Sequence, residues 1–148
     1  MKFSHVNLIA RDWRSLADFY IAVFGCIEKP PVRNLTGAWV DHLTGIPGAH
    51  IRGVHLLLPG YTEDGPTLEI FEYENNTKAG DKMINREGFG HIAFAVEDVQ
   101  QSLQLIVSHG GSLLGEVIDT RIEGAGMISV VYARDPEENI IELQKWSQ

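Results

Sequence analysis

Apolar and polar positions alternate along the chain in a pattern that repeats. Ser4 to Asp12 (SHVNLIARD) and Gly90 to Asp98 (GHIAFAVED) each read as a short strand, a turn and the start of a helix. His5 and His91 are 86 residues apart, and so are Asp12 and Asp98. In the first helix Trp13, Leu16, Ala17, Tyr20 and Val23 share one face. In the second, Val99, Leu103, Ile106 and Val107 do so. Asp12 and Asp98 stand where a short carboxylate can cap the free N–H groups of a first turn, and Gly25 and Gly110-Gly111 stand where helices end. Three strand-like segments follow each helix, at 36–43, 51–58 and 66–73, then at 113–120, 126–133 and 139–146. Glycine and proline clusters separate them.

This pattern predicts an α+β fold of two βαβββ modules. Module one covers about 1–74 and module two about 89–148, in a single 1–148 domain with a polar linker at 75–88. A helix covers one face of the strands in each module, and a curved mixed sheet leaves its other face toward a site. The 26–50 stretch reads as a long connection, of the kind that often forms a lid or binding loop.

Side chains on a strand alternate between faces. Val6 and Leu8 oppose His5 and Asn7, and Leu68 and Ile70 oppose Thr67, Glu69 and Phe71. Ile92, Phe94 and Val96 oppose His91, Ala93 and Ala95, and Ile141 and Leu143 oppose Ile140, Glu142 and Gln144. The faces turned from the helices thus carry His5, Glu69, His91 and Glu142. Each module has a histidine in its opening strand and a glutamate in its closing strand. A lone histidine or glutamate in a strand is ordinarily a packed or solvated residue. The symmetric placement of all four points instead to one divalent ion. Two imidazoles and two carboxylates suit Zn, Ni, Co, Mn or Fe, with positions left open for catalysis.

These residues carry a resemblance. The segments HVN at 5–7, LADFY at 16–20, FG at 24–25, LEIFEY at 68–73, GHIAFAV at 90–96, and DP at 135–136 through NIIEL at 139–143 resemble the vicinal oxygen chelate superfamily over nearly the whole chain. That superfamily includes glyoxalase I, methylmalonyl-CoA epimerase, extradiol dioxygenases and the fosfomycin and bleomycin resistance proteins. The resemblance implies paired βαβββ modules around a metal that chelates substrate oxygens, and a homodimer. The His, Glu, His, Glu set is most similar to glyoxalase I, although the Asn-Trp-Gly type segment usual there after the first glutamate is absent. The implied activity is that of a lyase or isomerase moving a proton beside a carbonyl through a metal-stabilised enolate or enediolate, with Glu142 or Glu69 as the proton carrier. A metal-free binding protein of the bleomycin-resistance type and an Fe(II) extradiol dioxygenase are the rival expectations. Asn7, Arg52 and Phe71 are candidate substrate contacts. Trp39, His50 and His55 lie in the same half of the chain, and His42 and His109 read as surface or packing residues.

Composition narrows the partners. The 148 residues are 44% hydrophobic and 22% charged, enough for an ordinary core. The net charge of −8 disfavours nucleic acid, and no segment is apolar enough to span a membrane. Cys26 is the only cysteine, so no internal disulfide forms. Together with an N-terminus lacking a signal-like apolar run, this leads to the expectation of a cytoplasmic protein acting on a small molecule.

Overall fold

The computed structural model describes residues 1–78 and 80–147. The chain divides into two compact units, Met1–Lys78 and Ala79–Gln148, at a point within the 75–88 stretch. Each unit is a mixed sheet covered by a helix, so the class is α+β, with sheets of four and five strands. No helix among the described residues is long and apolar enough to cross a membrane.

The first unit contains β1 (His5–Ile9), α1 (Trp13–Phe24), β2 (Ile27–Leu35), α2 (Ala38–Thr44), β3 (Ile51–Leu57) and β4 (Thr67–Tyr73). The strand order is β1-β4-β3-β2. β1 runs parallel to β4, and the other neighbours are antiparallel. The second unit contains β5 (Ile92–Ala95), α3 (Val99–Ser108), β6 (Ser112–Leu113), β7 (Ile118–Ile122), β8 (Gly126–Arg134) and β9 (Ile140–Ser147). Its order is β5-β9-β8-β6, with β7 also paired to β8, and β5 again runs parallel to β9.

Both helices start where the carboxylates predict. Asp12 Oδ1 accepts from the Arg14 and Ser15 amides at 3.1 and 3.0 Å, and Asp98 Oδ1 accepts from Gln101 at 2.9 Å. The Ser15 amide and hydroxyl hold the Asp12 carboxyl below its ordinary pKa, as bonds to the charged form must. α1 ends at Gly25, whose φ of 69° is the left-handed turn that a side chain would strain. α1 packs on β3 and β4, and α3 packs on β6, β8 and β9. Leu16, Ala17 and Tyr20 are buried with Val54, Leu56, Leu68 and Ile70, and Leu103 and Ile106 with Val131, Ile141 and Leu143. Phe19 is buried as well, outside the expected stripe, while Val107 is exposed.

The 36–43 segment is not the strand its pattern suggested. It lies largely in α2, and the missing strand is β2, at 27–35, inside the stretch expected to be a connection. Pro30 and Pro31 disguised it, because proline cannot donate to a ladder. β2 is an edge strand that pairs with β3 alone, and its register jumps between Lys29 and Arg33, so both prolines sit where no ladder bond is needed. α2 adds a small core of its own: Val40, Ala49 and Ile51, with Leu35, Phe71 and Tyr73 packed against it.

Gly53, in β3, permits a close approach. A Cβ there would lie 2.1 Å from the Ile70 carbonyl oxygen and 2.5 Å from Phe71 Cδ1. The Gly53→Ala variant is therefore expected to lose about 2 kcal/mol or more of stability through forced overpacking, read as a lower midpoint in urea unfolding.

Candidate metal centre and its supports

Glu69 stands in the middle of its sheet. Asn7 on β1 is its register partner on one side, and His55 on β3 on the other. Direct cross-strand partners project to the same face, and all three side chains meet. Asn7 Nδ2 donates to Glu69 Oε2 at 2.8 Å, and His55 Nε2 lies 2.8 Å from Oε1. His5, two residues from Asn7, places Nε2 at 3.6 Å from Oε2. The Glu69 side chain is 12% exposed, so its charge needs these partners.

One tautomer of His55 satisfies both of its nitrogens: Nε2–H donates to Glu69, and Nδ1 accepts from the Thr67 hydroxyl at 2.9 Å. Burial lowers the His55 pKa. The Glu69 charge opposes that shift, and Arg33, His5 and Lys29 add to it, so the ring is a neutral donor at neutral pH.

The second unit repeats the plan with different supports. His91 Nε2 lies 3.1 Å from Glu142 Oε2. Glu142 is flanked in register by Ala93 and Tyr132, the counterparts of Asn7 and His55. The Tyr132 hydroxyl hydrogen-bonds to Glu142, and its ring tilts against His91 with centroids 5.2 Å apart. Burial first, then the Glu142 hydrogen bond and charge, raise the Tyr132 pKa, so the phenol stays protonated and donates. Apart from the His–Glu pair itself, Glu69 is thus braced by two side chains, Asn7 and His55, and Glu142 by one, Tyr132.

The donor spacings suit a metal. Two ligand atoms held about 2.0–2.2 Å from one ion, at about 90–110° to each other, stand about 2.8–3.6 Å apart. His91–Glu142 at 3.1 Å and His5–Glu69 at 3.6 Å match this. His55 and His5 approach opposite oxygens of Glu69 with their rings edge to face, so these three do not converge on one point. Among the described residues, no group of three or more His, Cys, Asp or Glu side chains stands ready to hold an ion by itself.

The other sequence candidates fall elsewhere. Arg52 pairs with Glu72 at 2.8 Å, and Glu72 also accepts from the Trp13 amide, so this pair lies on the helix side of the sheet, away from Glu69. Phe71 shares the Glu69 face, packed against the α2 core and edge-on to His55. His50 bridges Glu74 and Asn34. His55 and Tyr132 went unrecognised as supports. Both alternate with buried neighbours (Val54 and Leu56, Val131 and Ala133), a signal of their facing, but only the register reveals that they meet a glutamate.

Cys26 is buried, and burial pushes its thiol up to about 11. At pH 8 only about one thiol in a thousand is then ionised. The native protein should leave a disulfide reagent unreacted, and urea should release one thiol per chain. Rapid reaction of the folded protein would contradict the burial.

The family model described as Glyoxalase/Bleomycin resistance protein/Dioxygenase superfamily matches residues 2–143. Similar solved structures include a glyoxalase family protein from Bacillus cereus, with a TM-score of 0.76 and 19% identity over 100% of this chain and 94% of that one. A glyoxalase/bleomycin resistance protein/dioxygenase family enzyme from Burkholderia phytofirmans has a TM-score of 0.64 and 17% identity over 99% and 100%. The fosfomycin resistance protein FosX from Listeria monocytogenes, in a structure complexed with Mn(II) and sulfate, has a TM-score of 0.55 and 19% identity over 99% and 93%. No curated protein matches the chain in sequence.

Proposed function

Because the chain belongs to the glyoxalase/bleomycin resistance protein/dioxygenase superfamily, we propose that it is a divalent-metal-dependent lyase or isomerase that moves a proton beside a carbonyl group. Members of this superfamily commonly bind a divalent metal, and FosX does so with Mn(II). The observation that carries the proposal is the His–Glu pair in each unit, held at the spacing of two donors on one ion. His5, Glu69, His91 and Glu142 are the proposed donors. When bound, a divalent ion supplies Lewis-acid stabilisation of negative charge on a carbonyl oxygen.

The chain's own residues divide the remaining work. Asn7 and His55 clamp both oxygens of Glu69, which suits it to a fixed ligand role. Glu142, which has Tyr132 as its one support besides His91, is the proposed proton carrier. It takes the proton from the carbon beside the carbonyl and returns it to the same or the adjacent carbon. The electron pair of the C–H bond moves toward the carbonyl and back, so no oxidant or reductant is consumed. A carboxylate held within hydrogen-bond reach of that carbon can do this.

Elemental mass spectrometry of protein stripped with chelator and reloaded with several divalent ions tests the proposal. About one ion per chain is expected, with weaker retention in Glu69→Ala, because metal affinity follows the donor count. Glu142→Gln should keep much of the metal and lose about a hundredfold or more in turnover of 2-oxo thioesters, hemithioacetals or epimerisable acyl thioesters. Failure to take up metal under any loading condition would turn the search to metal-free ligand binding.

Tyr132→Phe removes a positioning hydroxyl but no donor. Metal loading should be unchanged and kcat about tenfold lower, the cost of one hydrogen bond to a charged group. Equal loss of metal and activity would instead make Tyr132 part of the structural frame.

A further inference from the structure

The strand hidden by its prolines brings cations to the Glu69 face. Lys29 pairs in register with His55, and Arg33 with Gly53. A step of four residues on β2 thus spans a step of two on β3, and residues 30–32 take up the excess. Lys29 and Arg33 consequently stand on neighbouring same-face rungs. The line Asn7–Glu69–His55–Lys29 crosses all four strands. A cavity of about 460 Å³ opens here, walled by Lys2, Lys29, Arg33, His55, Asp64 and Thr67 among others.

The three cations end on neutral groups. Lys29 Nζ donates to the Glu63 carbonyl at 2.8 Å, Lys2 Nζ to the Asp64 carbonyl, and an Arg33 guanidinium N–H to the Pro31 carbonyl. These bonds orient the charged groups without neutralising them. Each ammonium retains two further N–H donors and the guanidinium four. Lys2, Lys29 and Arg33 against Asp64 give the wall a net charge of +2 (3 − 1), on a chain whose total is −8. The matching row in the second unit ends differently: beyond Glu142 and Tyr132 comes Leu114, whose amide donates to the Tyr132 carbonyl.

We propose that this cavity holds a phosphate group of the substrate, bound by Lys29 and Arg33 with Lys2 assisting. The inference rests on the proposed function for the identity of the reacting end, and adds that the substrate is a phosphate-bearing carbonyl compound. Neighbouring strands are about 4.8 Å apart, so Lys29 lies about 10 Å across the sheet from Glu69, the reach of a substrate several bonds long. A dianion would balance the wall's charge, and phosphate can accept from all three cations at once.

The probe is inorganic phosphate, titrated by calorimetry and by amide NMR into chelator-treated protein, so that no metal can bind it. The expected result is saturable binding that weakens as salt is raised, with amide shifts concentrated at 29–33 and 64–67. Lys29→Gln combined with Arg33→Gln should weaken binding about tenfold or more, as for the loss of charge-assisted hydrogen bonds, while Arg33→Lys retains most of it. Thermal melts of each variant establish that it is folded. Absence of saturable binding in the wild-type protein overturns the proposal, and so does equal binding in the folded double variant. Phosphate binding by a protein that takes up no metal would overturn the metal-dependent reading alone. Metal uptake without phosphate binding would overturn this one alone.

Discussion

In each unit the opening strand lies parallel to the closing strand, β1 beside β4 and β5 beside β9. Parallel neighbours cannot be joined by a hairpin, so the chain must leave the sheet, cross it and return. The helix makes that crossing and, having an apolar stripe to bury, settles on one face. The histidines and glutamates of the candidate centre are left to the other face. Parallel pairing also sets the histidine strand directly against the glutamate strand, which is why His5 reaches Glu69 and His91 reaches Glu142.

A carboxylate half-sunk in the middle of a sheet has to be answered by donors from its flanks. The two units answer differently. Glu69 is held by an amide, a neutral imidazole and a second imidazole at longer range, while Glu142 is held by a phenol and an imidazole. Burial keeps the His55 ring uncharged and the Tyr132 hydroxyl protonated, so each donates a hydrogen bond without adding charge to the centre. The repeated scaffold thus offers two similar His–Glu pairs with unequal support, and the proposed division between a ligand and a proton carrier rests on that inequality. The cations on β2 extend the asymmetry, since the matching row of the second unit ends on Leu114 where the first ends on Lys29.

Although the strand expected at 113–120 is divided between β6 and β7, periodicity along the chain was sufficient for the two-fold repeat, most of each helix stripe, the capping aspartates and the facing of His5, Glu69, His91 and Glu142. Each of these depends on residues near in sequence, where side-chain direction follows from backbone geometry. The same reasoning failed at β2 and α2. Two prolines inside a strand look like a break unless the strand is known to lie at an edge, and an edge is a property of the sheet. Arg52 read as a candidate substrate contact because its partner Glu72 is twenty residues away, on the adjacent strand.

By itself the sequence determined which residues share a face, because alternation and helical period are local and follow from stereochemistry. Only the tertiary structure decided who stands opposite whom. Register placed His55 and Asn7 on either side of Glu69 and Tyr132 beside Glu142, and a two-residue excess on β2 moved Lys29 and Arg33 onto neighbouring rungs. Those distances come from hydrogen-bonded pairing between strands far apart in the chain, where a shift of one residue would turn every side chain to the other face.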